Sequence, residues 1–582
     1  MPDSSGRASM VNPRIWPPLV IVTIALVIRF VPGWVAPMTM AHFMGLAGGP
    51  LIGLLGLLIW WPFARRIPLR DRMTGLAIGL GTLVLLGLSA HRTMPQFLVT
   101  YALVVMQVAF IAALMATRTV PWSRRRWILA LTFVATLLPF NLFRQDGQIG
   151  DLSHELSARW GPTAEELFLD ERSTTESARA VATSEVTTAD WPGYRGPSRN
   201  ASAVGASFDT DWESRAPREL WRRRVGPAWS SFAVAGNRIF TQEQRGDDEV
   251  VVCYGLEDGA EIWVQGTPER FEEAASGPGP RATPTFDRGR LYTLGANGTV
   301  QCLDAASGSL EWRRNLQEDV GASLPPWGFS SSPVIAGDAV VVFAGSDGGR
   351  SVVAYDRETG DLLWSAGEGG HSYSSGHRAT IDDVEQVLMA SDVGLQSLDP
   401  ASGNLLWEHR WPTQQMPRIV QPVLLEGGSS MVLGTGYGFG SRRLSVDRDT
   451  SGGWKVEELW TSRFLKPYFN DLVCHRGHCY GFDGRIFTCI GAGDGERRWK
   501  GGRYGHGQVL LLPDMDLLLV LTEEGEVVLV EATPEAHREV ARFEALSGKT
   551  WNHPVVTQGK LLVRNAEEAA CFELSGRSVE DS

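Results

Sequence analysis

Residues Ser332 to Trp364 read SPVIAGDAVVVFAGSDGGRSVVAYDRETGDLLW, and the rest of the chain repeats this pattern. Apolar runs alternate at period two between Ala336-Gly337-Asp338, Ser346-Asp347-Gly348-Gly349 and Arg357-Glu358-Thr359-Gly360. Glycine and aspartate take the positive backbone angles that tight turns need, so the stretch predicts a four-stranded antiparallel meander ending on a tryptophan.

The same ending recurs as Leu256 to Gly259 before Trp263, Leu303-Asp304 and Ser307-Gly308 before Trp312, and Leu398-Asp399 and Ser402-Gly403 before Trp407. Weaker copies end at Trp460, Trp499 and Phe543. A spacing of roughly 40 to 53 residues suits one propeller blade per repeat, because a lone sheet cannot bury both its faces. Leu220-Trp221 reads as a last strand with no blade before it, and Trp551 to Leu574 as three strands lacking their fourth. If the first completes the last, the expected fold is an all-β eight-bladed propeller with no unpaired blade edge, seven blades being the alternative count.

The 582 residues are unevenly composed, with an apolar N-terminal quarter and an acidic remainder. A net charge of -12 excludes a nucleic-acid binder, which needs a basic surface. Five apolar runs, near Trp16–Trp34, Met44–Phe63, Met73–Ala90, Phe97–Ala116 and Trp127–Phe143, each approach the length of a membrane-crossing helix. The first reads as a retained helix rather than a cleaved signal peptide, with Arg29 snorkelling to the interface. Arg7 and Arg14, then Arg65, Arg66, Arg70 and Arg72, then Arg118 and Arg124 to Arg126 mark alternate ends of these runs. The positive-inside rule then places the N-terminus in the cytoplasm, and five spans in the inner (cytoplasmic) membrane export the propeller to the periplasm. The expected domains are a transmembrane anchor over 1–145, an acidic Ser/Thr-rich tether over 146–218 and the propeller over 219–582, the tether being too polar to order itself.

The repeat, with its Leu-Asp, Thr/Ser-Gly and terminal Trp, resembles the pyrroloquinoline quinone (PQQ) repeat family of eight-bladed propellers. Asp190-Trp191-Pro192-Gly193-Tyr194-Arg195-Gly196-Pro197 resembles the lead-in before such propellers in bacterial proteins. The resemblance implies two branches, and fold alone does not choose between them. One is similar to the assembly lipoprotein BamB, a cofactor-free scaffold for other proteins. The other is the quinoprotein dehydrogenases, whose membrane glucose-oxidising members share five N-terminal helices and pass electrons to membrane quinone. The chain lacks a lipobox cysteine, and a propeller of this size leaves little room for the inserted loops that build a dehydrogenase pocket.

Loops that precede the innermost strands should converge on the channel mouth. They supply Trp229, Arg281, His377, Arg418, Asn470, Asp471, His506, Trp551, Asn552 and His553. Aromatic rings and cationic or amide groups in one funnel suit a small-molecule ligand such as an anion or a quinone, whereas polar loops there are also the ordinary state of a propeller. A PQQ enzyme needs a base and a divalent cation held by hard oxygens. Asn470 and Asp471 are the candidate calcium ligands, and Asp471 is the candidate catalytic group.

The run Cys474-His475-Arg476-Gly477-His478-Cys479 reads as a hairpin with a two-residue turn. The histidines and the cysteines then fall on opposite faces, so four ligands cannot surround one metal. A cross-strand disulfide is the first reading, free thiols the second and zinc the third. Cys253, Cys302 and Cys489 share one repeat position that other blades fill with Ala354 or Ser397, which marks a small buried site.

The expected function is therefore a membrane-anchored, periplasm-facing binding or assembly scaffold with envelope protein partners and no cofactor. The alternative is a membrane quinoprotein dehydrogenase oxidising a sugar or an alcohol with PQQ and calcium.

Overall fold

The computed structural model describes residues 13–174, 188–414 and 416–574, in two compact units, one of residues up to 161 with 274–276, the other of the remainder from 162. The first unit holds α1 (Trp16–Val35), α2 (Met40–Phe63), α3 (Leu69–Ser89), α4 (Pro95–Ala116) and α5 (Trp122–Leu137). Four of them, α1 to α4, are long and apolar enough to cross a membrane, at 20 to 24 residues and mean hydropathies of 1.5 to 2.3.

Among the described residues, four helices meet that length and composition where about five spans were expected. The last apolar run gives only the 16-residue α5, which opens on three arginines and passes at Pro139 into a 3-10 turn over Leu138–Leu142. Arg29 is corrected: it is 6% exposed, and its Nε donates to the Thr100 carbonyl at 3.4 Å instead of snorkelling. That carbonyl lies in the π-helical turn Leu98–Ala102 of α4. Close approach of α1 and α2 rests on small residues, since a Cβ on Gly49 would stand 2.5 Å from the Ala25 carbonyl. Arg7 lies outside the described residues.

The second unit contains eight four-stranded antiparallel sheets. In the third blade the order from axis to rim is Val334–Ala336, Ala339–Ser346, Arg350–Asp356 and Leu362–Ala366. The ring closes where Arg218–Arg224 pairs antiparallel with Glu568–Glu573, supplying the outer strand of the eighth blade.

The structure explains why the repeat couples a turn glycine to a tryptophan. Gly259, Gly308, Gly360 and Gly403 have φ between 64° and 75°, and a Cβ on each would come within 2.6–2.7 Å of the indole of Trp221, Trp263, Trp312 and Trp364 in turn. Each glycine seats the tryptophan of the preceding blade. The indole N–H then donates across the gap, from Trp221 to the Leu256 carbonyl at 2.9 Å and from Trp364 to that of Pro400 at 3.0 Å. Sequence-adjacent blades are thus joined by apolar burial and one satisfied hydrogen bond.

Much of the stretch expected to be a tether is ordered. Residues 175–187 fall outside the described residues, but Ala164–Thr174 is a helix whose Glu165 pairs with Arg270 at 2.9 Å. Trp191, Arg195, Phe208 and Trp212 are each at most 5% exposed. A polar composition failed as a guide here because a few large side chains, spaced along the segment, find ready-made sites on the propeller.

Candidate functional site

The segment 190–203 crosses the axis of the propeller. Trp191 and Val234 exchange backbone hydrogen bonds of 3.0 and 2.7 Å, extending the innermost strand of the first blade, and the Pro192 carbonyl accepts the Phe286 N–H of the second. Arg199 donates to the carbonyls of Ser332 and Pro333 in the third blade, at 3.2 and 3.1 Å. Arg195 donates to the Leu472 carbonyl in the sixth at 2.7 Å, and Ala201 accepts the Leu511 N–H of the seventh at 2.8 Å. A short segment that touches the inner strands of five blades must span the channel, so it is a plug. Arg195, Arg199 and Ala201 hold positive φ of 63°, 52° and 55°, a strained backbone that these contacts over-determine.

Asp471 anchors the plug. Its Oδ2 accepts the Tyr194 hydroxyl at 2.6 Å, its Oδ1 accepts the Gln421 N–H at 2.9 Å, and Arg195 stands 3.4 Å away. Burial and the adjacent Asp471 charge push the Tyr194 hydroxyl well above its ordinary pKa, so it remains a donor. Burial pulls Arg199 down to about 10. Both Asp471 oxygens are occupied by protein donors, and the Asn470 Oδ1 accepts the Tyr468 N–H at 3.0 Å.

Above the plug lies a chain of rings. Trp229 and Trp551 have centroids 4.8 Å apart, Phe469 lies 4.8 Å from Trp551 and 5.6 Å from His506, and Tyr468 lies 5.1 Å from Tyr437. Lys549 places its ammonium 5.6 and 5.0 Å over the rings of Trp229 and Trp551. The buried Glu523 fixes this group, accepting the Trp551 indole N–H at 2.9 Å and the His506 backbone N–H at 3.0 Å. Trp229, Trp551 and Phe469 are each only partly buried, so the rings present a face as well as a floor.

The remaining candidates divide. His377 and His553 line the channel and are held neutral, both drawn down to about 3 by burial and by neighbouring arginines. His553 Nδ1 faces the Pro554 carbonyl at 2.8 Å, which assigns the proton to that nitrogen. Asn552 donates to the carbonyls of Ala228 and Ser230, at 3.2 and 2.8 Å. Two expected residues are held by partners outside the ring cluster. Arg418 stacks on Trp411 and donates to the carbonyls of Ser391 and Trp411, and Arg281 lies over Phe271 and beside Glu273. Sequence reasoning missed Tyr194, Arg195, Glu523, Phe469 and Lys549. The one signal available was the Tyr-Arg pair inside the glycine-rich lead-in.

Cys474 and Cys479 face each other in register with Cα atoms 4.1 Å apart and are joined in a disulfide, while His475 bonds Asp516 at 2.7 Å. Cys253, Cys302 and Cys489 are free and buried.

Glu249, between the first two blades, is 5% exposed and raised to about 7, chiefly by burial, though the Ala296 N–H donates to it at 3.0 Å. A carboxyl raised in the folded state stabilises fully below its unfolded value, near 4.5, and loses that contribution as pH rises through about 7. Glu249→Gln keeps an acceptor for Ala296 and removes the charge. It is expected to raise stability at pH 8 by up to about 3 kcal/mol and to change little at pH 4, read from denaturant midpoints at the two pH values.

The oxygens of Asn470 and Asp471, the candidate calcium ligands, are engaged within the protein. Every oxygen of the Asp471 carboxylate and the Asn470 carbonyl already accepts an internal hydrogen bond. Among the described residues no three His, Cys, Asp or Glu side chains gather at a distance that could hold a metal.

The family model for the outer membrane protein assembly factor BamB matches residues 247–500. No curated protein sequence matches the chain. Among solved structures, BamB from Moraxella catarrhalis is similar at 15% identity and a TM-score of 0.46, covering 61% of this chain and 99% of that one. A europium-containing methanol dehydrogenase is similar at 13% and 0.49, covering 64% and 89%, and the quinohemoprotein alcohol dehydrogenase from Comamonas testosteroni at 12% and 0.47, covering 72% and 85%. With eight four-stranded blades in which a tryptophan–glycine contact recurs, the chain carries a PQQ-like repeat propeller, matched by the BamB family model across four whole blades and parts of the two that flank them.

Proposed function

We propose that the chain is a membrane-anchored scaffold whose propeller, exposed outside the cytoplasmic membrane, binds envelope proteins on the aromatic face of the channel mouth. The observation that carries this reading is the plug. With Tyr194 and Arg195 spanning the axis and consuming Asp471, the ring cluster of Trp229, Phe469 and Trp551 is left as a shallow surface over a closed floor. Rigid, partly exposed aromatics beside a cation suit a protein partner, because they bury much area with few rotatable bonds.

Orientation follows from charge. The segments 64–72 and 117–126 hold eight arginines against the one carboxylate of Asp71, which supports a cytoplasmic position for that end of the bundle. Export of the propeller then requires α5 to cross as well. Its 16 residues continued by the 3-10 turn reach roughly 34 Å, against a bilayer core of about 30 Å.

The test uses the full chain in its own membrane, with a photo-crosslinking residue in place of Lys549 and, as control, of the rim residue Lys455. The expected result is a discrete protein adduct from position 549 alone that is lost in Trp229→Ala combined with Trp551→Ala. Equal adducts from both positions, or survival in the double variant, would sink the reading. A saturable absorbance change with PQQ and calcium, together with oxidation of an added alcohol or sugar, would instead favour the dehydrogenase.

A further inference from the structure

Within the helical unit, a groove of about 250 Å3 runs inward from the arginine-rich end between α2, α3, α4 and α5. Its shaft is apolar, walled by Leu54, Leu57, Phe110 and Phe133. Its rim is not. Asp71 accepts the Trp122 indole N–H at 2.7 Å and pairs with Arg126 at 2.8 Å, and Arg70 lies on the same lining. One carboxylate therefore faces two guanidiniums and holds Arg126 toward the opening.

We infer that this groove is a binding site for an anionic phospholipid, with one acyl chain lying in the shaft and the headgroup phosphate on Arg70 and Arg126. Three features select that occupant. The site is amphiphilic along one axis, with its polar end at the same helix termini that carry the excess of arginine, where a headgroup would sit. The rim has a net positive charge, and guanidiniums take phosphate in a bidentate fork. Beyond Thr74 the shaft lining is apolar, so the ligand enters by its tail. A neutral quinone would leave the excess positive charge at the rim uncompensated.

The full chain is purified in neutral detergent, retained lipid is extracted and identified by mass spectrometry, and thermal stability is followed on adding phosphatidylglycerol or phosphatidylcholine with identical chains. About one anionic phospholipid per protein is expected, with a rise in melting temperature for phosphatidylglycerol only. Arg70→Gln with Arg126→Gln should lower phosphatidylglycerol retention at least fivefold. Gly79→Leu tests the shaft independently: a Cβ there meets only Phe133, at 3.8 Å, so the leucine side chain extends into the groove while improving the helix. It should abolish retention with helical circular dichroism unchanged. Should the double variant fail to fold, Arg70→Gln alone, on an exposed residue, decides the headgroup contact. Equal retention of both lipids, recovery of a quinone or of no lipid, or unchanged retention in the arginine variants would overturn the assignment.

Discussion

Changing Asp471 to Asn destabilises the propeller by about 3–5 kcal/mol. Its carboxylate is 2% exposed and is the acidic partner of Arg195, whose side chain is fully buried, while Arg199 lies buried in the same plug. An asparagine keeps one acceptor and the shape but cancels the negative charge that, among the described residues, pairs with this cluster. Two guanidiniums would then sit in a low-dielectric axis with nothing to balance them, and removing one partner of a buried pair costs more than the pair contributes. Urea unfolding of the full chain in detergent, followed by tryptophan fluorescence, reads the effect. Adding Arg195→Met to Asp471→Asn should restore a large part of the loss, since it removes the orphaned charge. A loss under 1 kcal/mol in the single variant, or no recovery in the double, would show that the plug is not held by this pair.

Trp221→Ala is expected to cost a similar 3–5 kcal/mol, for a different reason. This indole is 8% exposed, lies against Gly259, and donates to the Leu256 carbonyl at 2.9 Å. Truncating it opens a cavity between the eighth blade and the first and orphans that carbonyl. It also loosens the strand that closes the ring. The same truncation at Trp263 makes a similar cavity between two blades that are contiguous in sequence. Both should lower equilibrium stability, but Trp221→Ala should speed unfolding more, because no turn links its strand to the rest of its own blade, which holds it by ladder hydrogen bonds and the Arg218–Glu573 and Arg222–Glu568 pairs. Equal unfolding rates for the two variants would remove the special standing of the closure.

The propeller was legible in the sequence because its signal is written many times over. The Leu-Asp, Ser-Gly and Trp pattern recurs in register, its tryptophan bridges to the next blade in most copies, Trp407 and Phe543 being the departures, and the unmatched ends at Trp221 and Leu574 announce the closure. The helical unit was less legible at its end, where the helix starts at Trp122, ahead of the apolar run Trp127–Phe143, and gives way at Leu138 to a 3-10 turn that contains Pro139. At the candidate site, the position of a loop was readable and the direction of its side chains was not. Trp229 and Trp551 do meet, whereas Arg418 and Arg281 are held by carbonyls and rings that no local pattern reveals. The plug was hidden for a related reason. The partner of Tyr194 is 277 residues away, and a Gly-Pro-rich segment gives no hint that its arginine is destined for a buried axis.

The closure also sets a timetable. The strand Arg218–Arg224 is made near the start of the propeller, and its partner Glu568–Glu573 is made nearly last. At about 5–20 residues per second, the first strand waits on the order of half a minute for its match. Over that interval the growing array has an open edge at either end, each a template for pairing with another chain. The plug joins the delay, since its residues precede every blade it touches. Maturation of this protein is therefore a single late event, in which ring closure and channel sealing complete together after the final strand has emerged.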